Sequence, residues 1–297
     1  RLIESLRRAF RTQPPAPTTA RHDIGPDHDP SAAALRLAAA WRPGRRAGVK
    51  VSIVAPDSAT VRGRSATSGA YMLMNGETGA PMALIDGAAL STRSAAAASA
   101  LAAQYLARSD ASRLLMVGAG DLAPQLIAAH CHIRPIRQVL IWNRTPDRAA
   151  RLAKAMRLPK VEISATEDLE GAVRGADLIC CATLSEAPLI RGEWLAPGAH
   201  LSLLGGFRPE MREADDDCLA RARVFVDDRD AALESAGDLT QPVAAGAFDP
   251  DDIAADLFDL ARGERAGRRH YDQITLFKAV GAAIEDLAAA ELVYETA

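Results

Sequence analysis

No stretch of this sequence approaches the roughly 20 consecutive apolar residues that a helix needs to cross a bilayer. The alanine-rich run from Ala95 to Ala103 is broken by Ser99 and followed by Gln104 and Arg108, so it reads as a packed helix. Neither sign of charge dominates. The net charge is −3 at pH 7, which gives no electrostatic footprint for nucleic acid or an anionic membrane. Cysteine is scarce: Cys131, Cys180, Cys181 and Cys218 are the four, and none forms a C-x-x-C pair. A chain of 297 residues can bury a core without bridges, so a disulfide framework is not expected and a reduced, cytoplasmic setting is. His130-Cys131-His132 does not make a metal site, because adjacent residues on a helix point in different directions. The acidic runs Asp215-Asp216-Asp217 and Asp249-Pro250-Asp251-Asp252 lack the longer, regular spacing of calcium loops. No Ser-His-Asp arrangement can be read from spacing, and there are no internal repeats. The sequence starts at Arg1 rather than methionine, so a short preceding piece is expected; no signal-peptide pattern is visible in what remains.

What is present is the composition of an ordinary globular protein, 48% hydrophobic and 25% charged, at a length that suggests two domains. Leu2 to Phe10 reads as an amphipathic helix, followed by the Pro-rich link Pro14-Pro15-Ala16-Pro17. The segment from His22 to Ser31 reads as a loop or hairpin tip. Val49 to Val54 alternates and is β-branched, which predicts a strand. Two apolar runs, Tyr71 to Met74 and Met82 to Ile85, flank a Gly-rich turn and predict a hairpin. Thr92 to Ala107 is a helix of small residues. From Arg113 onward short buried strands alternate with helices: strands at Leu114–Val117, Val139–Trp142, Val161–Ile163, Leu178–Ala182, His200–Leu204 and Val224–Val226. That alternation predicts a parallel sheet. The tail, Gln273 to Thr296, has apolar positions Leu276, Val280, Ile284, Leu287 and Val293 and is predicted to be one long helix returning to the N-terminal half. The expected domains are residues 1–111 with 273–297, and 112–272.

The strand ending at Val117 runs into Gly118-Ala119-Gly120-Asp121-Leu122-Ala123, a G-x-G-x-x-A turn directly before a helix. That context is the one a Rossmann-type dinucleotide site requires. Gly118 permits the tight turn, Gly120 lets a pyrophosphate approach the backbone, and Ala123 keeps helix and strand close. The free N–H groups and dipole at the helix start favour phosphate. The following strand selects the cofactor. Versions that bind NAD carry a carboxylate near its end; here the residues are Asn143, Arg144 and Thr145, all able to donate to a 2′-phosphate. NADP(H) is therefore preferred, with NAD(H) as the alternative.

Across nearly its whole length the chain resembles the ornithine cyclodeaminase/mu-crystallin family. The matching segments are Gly48-Val49-Lys50-Val51, Asn75 to Gly87, Thr92-Arg93-Ser94-Ala95-Ala96, the Gly118 turn and Phe277-Lys278-Ala279-Val280-Gly281. The resemblance implies an α/β fold: a doubly wound parallel sheet inserted into a discontinuous α+β domain that binds substrate and forms a homodimer. It implies that Lys50 approaches the substrate and that Arg93 binds its carboxylate. Arg21 corresponds to a further family arginine, displaced from the usual P-x-R spacing. Where ornithine cyclodeaminases carry an aspartate after two glycines, this chain has Phe207, which has no proton to trade. Asp238 resembles an acidic residue near the family's cofactor, with an ordinary loop carboxylate as the alternative. Thr183 and Ser185 follow a strand end and contact the cofactor or cap a turn. Lys278 reaches the site from the tail helix or is solvated.

With Phe207 in place of the aspartate, the resemblance implies an NADPH-dependent reductase of a small cyclic imino acid, Δ1-pyrroline-2-carboxylate or its six-ring homologue. Three other readings stay open: an NAD-dependent ornithine cyclodeaminase, an alanine- or opine-forming dehydrogenase, and a non-catalytic NADPH-binding protein like mu-crystallin.

Overall fold

A computed structural model describes residues 1–12, 18–24, 33–54, 67–206 and 208–297. The chain falls into two compact units, Arg1–Ser94 with Ala282–Ala297, and Ala95–Gly281. The parallel-sheet unit is thus inserted into a discontinuous one.

The first unit is a five-stranded antiparallel meander with two helices. The strands are β1 (Thr18–Asp23), β2 (Ala34–Arg42), β3 (Arg46–Val54), β4 (Thr67–Asn75) and β5 (Pro81–Asp86), paired in that order. Asn75 closes the β4–β5 turn, its side-chain oxygen accepting from the N–H groups of Glu77 and Thr78, while Gly79 takes a φ of 72°. Helices α1 (Leu2–Arg11) and α10 (Ala283–Thr296) pack together; Leu6, Ala9 and Phe10 are buried, as are Ala288, Ala289 and Ala290. The small residues let the two backbones approach, and Ser5 Oγ donates to the carbonyl of Ala288. Strand side chains alternate between faces. On β3 that alternation is inverted: Gly48, Lys50 and Ser52 share one face, while Val51 and Ile53 on the other are 41% and 45% exposed.

The second unit is an eight-stranded, all-parallel sheet in the order β12-β11-β13-β10-β9-β6-β7-β8. Its strands are β6 (Arg113–Val117), β7 (Gln138–Trp142), β8 (Glu162–Ala165), β9 (Leu178–Cys181), β10 (His200–Leu203), β11 (Arg223–Val226), β12 (Ile253–Asp256) and β13 (Thr275–Lys278). The helices are α2 (Gly87–Leu106, whose first residues belong to the other unit), α3 (Ala123–Ile133), α4 (Pro146–Ala155), α5 (Leu169–Gly175), α6 (Asp216–Arg221), α7 (Arg229–Ser235), α8 (Gly237–Ala244) and α9 (Leu257–Arg262). Leu115, Ile179, Leu201 and Leu276 form a fully buried row across neighbouring strands. Truncating any one to alanine costs about 2–5 kcal/mol. Strand order reverses between β6 and β9. In such sheets ligands bind beyond the carboxyl ends of the strands at that switch point.

Two expectations are corrected. Gln273 to Thr296 is not one helix: Thr275–Lys278 is β13, inserted between β10 and β11, and α10 begins at Ala283. All four β13 residues are buried, so both faces are covered and no alternation marks the strand. Gly281, with a φ of 89°, separates strand from helix. The segment from His22 begins inside β1 rather than as a loop; residues 25–32 lie outside the described ones, as do 13–17. The four cysteines are unpaired, and no helix among the described residues is long and apolar enough to cross a membrane.

Candidate functional site

The dinucleotide end of the second unit is built on β6. Gly118 N–H donates to the carbonyl of Trp142 at 2.8 Å, and the residue takes a φ of 109°. A Cβ there would lie 2.5 Å from the carbonyl oxygen of Ala182, just after β9, so only glycine fits. Gly120 differs: a Cβ at that position would meet nothing within 4 Å, so protein packing does not require a glycine there. The N–H groups of Gly120, Asp121 and Leu122 donate to no described residue, and α3 starts without a side-chain cap and with Pro124 in its first turn. Unpaired donors at a helix start, with room over a glycine, fit a pyrophosphate. Ala123 is buried against the sheet core.

At the end of β7, Asn143 accepts from the N–H of Ala119 at 3.1 Å and donates to the carbonyl of Thr145 at 2.9 Å. Its amide fastens the glycine turn to the next strand. Arg144 and Thr145 are exposed, and Arg144 has no hydrogen-bond or ion-pair partner among the described residues. A free guanidinium at this strand end suits a 2′-phosphate.

Beyond β9, β10 and β13 lies a buried network that joins the candidates Thr183, Asp238 and Lys278 through Glu213, which sequence reasoning missed. Glu213 is fully buried; its Oε1 accepts from Thr183 N–H at 2.6 Å and Thr183 Oγ at 2.8 Å, and its Oε2 from Gly205 N–H at 2.8 Å. Asp238 Oδ1 accepts from the N–H groups of Glu213 and Ala214 at 2.7 and 3.0 Å. Asp238 Oδ2 pairs with Lys278 Nζ at 2.9 Å, and Lys278 also donates to the carbonyl of Gly205. Gly206, with a φ of 57°, leaves no room for a side chain beside Asp238 and Lys278. Lys278 therefore stands on a strand rather than the tail helix, and it is wholly buried rather than solvated. Ser185 Oγ donates to the carbonyl of Ala187 at 2.7 Å. Phe207 lies outside the described residues.

In the first unit, Lys50 Nζ sits 2.6 Å from Asp286 Oδ2 on α10 and 3.0 Å from Ser91 Oγ on α2. Ser94 Oγ donates to Asp286 Oδ1 at 2.8 Å. Asp286 is thus a second residue that sequence reasoning missed: it lies 236 positions from the lysine it orients. Across the sheet from Lys50, Tyr71 fills the space above Gly48, where a Cβ would collide with its hydroxyl. That hydroxyl is buried without a partner among the described residues; burial foremost, then the charges of Asp286 and Glu291, push its pKa up. Arg93 is exposed and donates to the carbonyl of Ala89, one turn back on its own helix, at 3.2 Å. Arg21 stands on β1 in register with Arg36.

A family model described as the ornithine cyclodeaminase/mu-crystallin family matches residues 28–297. The chain belongs to this family. Among its relatives, an uncharacterized protein of Schizosaccharomyces pombe is 43% identical over 304 residues, covering 99% of this chain and 92% of the relative. A Delta(1)-pyrroline-2-carboxylate reductase of Colwellia psychrerythraea is 35% identical over 296 residues, covering 99% and 93%. Of solved structures, the Thermococcus litoralis Delta(1)-pyrroline-2-carboxylate reductase in complex with NADH and L-proline superposes with a TM-score of 0.91 at 29% identity, covering 99% of this chain and 91% of that one.

Proposed function

We propose that this protein reduces a small cyclic imino acid, Δ1-pyrroline-2-carboxylate or its six-membered homologue, to the corresponding cyclic amino acid, with NADPH as the preferred reductant. The observation that carries this reading is the lysine clamp of the first unit, Lys50 held by Asp286 and Ser91, in a chain similar over 99% of its length to a reductase of that name. The cyclodeaminase alternative has Phe207 where its chemistry asks for a carboxylate.

Each residue then has a chemical task. Arg93, bonded within its helix to one carbonyl, has guanidinium N–H groups left for a bidentate contact to the substrate carboxylate. Lys50 has three N–H groups; Asp286 and Ser91 orient two, leaving the third for the imine end of the substrate. A cation held there favours electron flow away from carbon and holds a proton for the nitrogen. Gly118, Gly120 and the N–H groups of Asp121 and Leu122 hold the pyrophosphate; Arg144 and Thr145 take the 2′-phosphate. The bound reduced nicotinamide supplies the hydride. One imine, one hydride and one proton give one secondary amine.

The test is a spectrophotometric assay of the purified chain with Δ1-pyrroline-2-carboxylate and either NADPH or NADH. Oxidation of NADPH, faster than of NADH and yielding proline, supports the reading. Oxidation seen only with pyruvate and ammonia, or conversion of ornithine to proline with NAD⁺ alone, overturns it.

The exposed apolar face of the first unit's sheet, with Val51, Ile53, Met72 and Leu84, supports a second proposal: a homodimer formed through that face.

A further inference from the structure

We propose that Glu213 is a positioning residue for the cofactor, setting the loops after β9 and β10 and making dinucleotide affinity depend on its ionised state. This rests on the reading above that this end of the sheet takes the dinucleotide.

Three features carry it. First, Glu213 is fully buried, yet it spends both carboxylate oxygens on the main chain of other segments: Thr183 N–H at 2.6 Å and Gly205 N–H at 2.8 Å. Those residues follow β9 and β10, at the carboxyl edge where such sheets bind ligands. Second, Gly205 has no room for a side chain, because a Cβ would run into both the Thr183 carbonyl and the Glu213 carboxylate. The loops are therefore packed around that carboxylate. Third, Asp238 and Lys278 fix Glu213 in turn, Asp238 through the Glu213 N–H and Lys278 through Asp238 and the Gly205 carbonyl.

Backbone N–H groups cannot turn round to accept. A proton on either oxygen removes the negative charge that both N–H groups face, so the charge-assisted attachments of Thr183 and Gly205 become neutral hydrogen bonds and weaken. The Thr183 hydroxyl can rotate, but the amides cannot. Burial pushes the Glu213 carboxyl up, Lys278 pulls it down, Asp238 raises it and the Thr183 hydrogen bonds lower it, leaving it at about 7. Burial foremost, and the Glu213 charge as a smaller contribution, also raise the thiols of Cys180 and Cys181 on β9. The carboxylate form that holds both loops is thus depleted as pH falls from 8 to 6, and affinity scales with the competent fraction.

The experiment is a fluorescence titration of the full chain with NADH and with NADPH between pH 6 and 8.5, alongside thermal melts without ligand. NADH has no 2′-phosphate, so its profile reports the protein's titration. The expected result is an NADH affinity several-fold weaker at pH 6 than at pH 8, and weak, pH-independent affinity in Glu213→Gln. Thr183→Val provides a second readout that keeps the carboxylate. Removing a hydrogen bond that stabilises the ionised form moves the midpoint of the binding profile to higher pH. Wild-type affinity and an unchanged profile in Glu213→Gln overturn the proposal. If that variant does not fold, an unchanged midpoint in Thr183→Val overturns it. Failure of the wild-type chain to bind either dinucleotide at any pH overturns the cofactor reading itself, and this proposal with it.

Discussion

At the scale of single residues, the chain arranges charge so that reactive groups are oriented but not neutralised by a flexible neighbour. Lys50 is held between a carboxylate and a hydroxyl from two different helices. An ammonium on a four-carbon stem has many rotamers, and fixing it in advance removes that cost from the reaction. Lys50→Gln is expected to lower kcat/KM by about a hundredfold or more while leaving NADPH affinity within about twofold, since misplacing one group by about 1 Å can itself cost a hundredfold. Asp286→Asn keeps the lysine but loosens it, and a loss of about tenfold in kcat/KM is expected, measured in the same assay. Arg144 is the opposite kind of residue, exposed and without a partner among the described residues, and the proposed reading gives it to the 2′-phosphate. Arg144→Ala should leave the melting temperature unchanged and cost NADPH about 1.5–3 kcal/mol of binding, as for one hydrogen bond to a charged group. NADH affinity should stay as it was; equal losses for both cofactors would remove Arg144 from the 2′-phosphate.

Secondary-structure elements place those residues, and the two glycines of the β6–α3 turn show how. Gly118 is required by the protein's own packing, whereas a side chain at Gly120 would meet open space, which the proposed reading gives to the pyrophosphate. Gly118→Ala is expected to destabilise the fold, through a positive φ and a clash with the Ala182 carbonyl. Gly120→Ala should melt within about 2 °C of wild type, as a substitution costing well under 1 kcal/mol does in a unit this size. It should nonetheless bind NADPH at least tenfold more weakly. A Gly120→Ala protein with full affinity would contradict the assignment of the turn.

The turn was legible in the sequence because its constraints are local: a strand, two glycines and a helix start lie within a dozen residues. Strands β6, β7, β9, β10 and β11 were legible for the same reason, as short apolar runs between turn residues. Strand β13 was not, because Leu276, Val280, Ile284 and Leu287 fall at helical spacing across a strand, a glycine and a helix that merely follow one another. Strand β2 gives no signal either; alanines at 34, 38, 39 and 40 have little strand propensity, and its place comes from pairing with β3. Lys50, Asp238 and Lys278 could be singled out through the family resemblance, but Asp286 and Glu213 could not. Asp286 lies on the last helix and Glu213 in a loop, and each becomes significant only through a contact made across the fold.

At the scale of the whole molecule, the inverted alternation of β3 stands out. A lone antiparallel sheet buries its apolar face, whereas here the covered face carries Lys50 and Ser52, and Leu84 on the other face is 75% exposed. Light scattering is expected to give twice the chain mass, and Val51→Lys with Leu84→Glu to give monomers. A monomeric wild type at micromolar concentration would contradict the dimer.

In the proposed reaction, hydride passes from the dinucleotide to the α-carbon of a cyclic imino acid. It is tested most directly with NADPH carrying deuterium at the transferable position and unlabelled Δ1-pyrroline-2-carboxylate, followed by mass spectrometry of the product. One proline per NADPH oxidised, with one deuterium at the α-carbon, is expected. Proline without label, or proline formed from ornithine with no net consumption of NADPH, would contradict it.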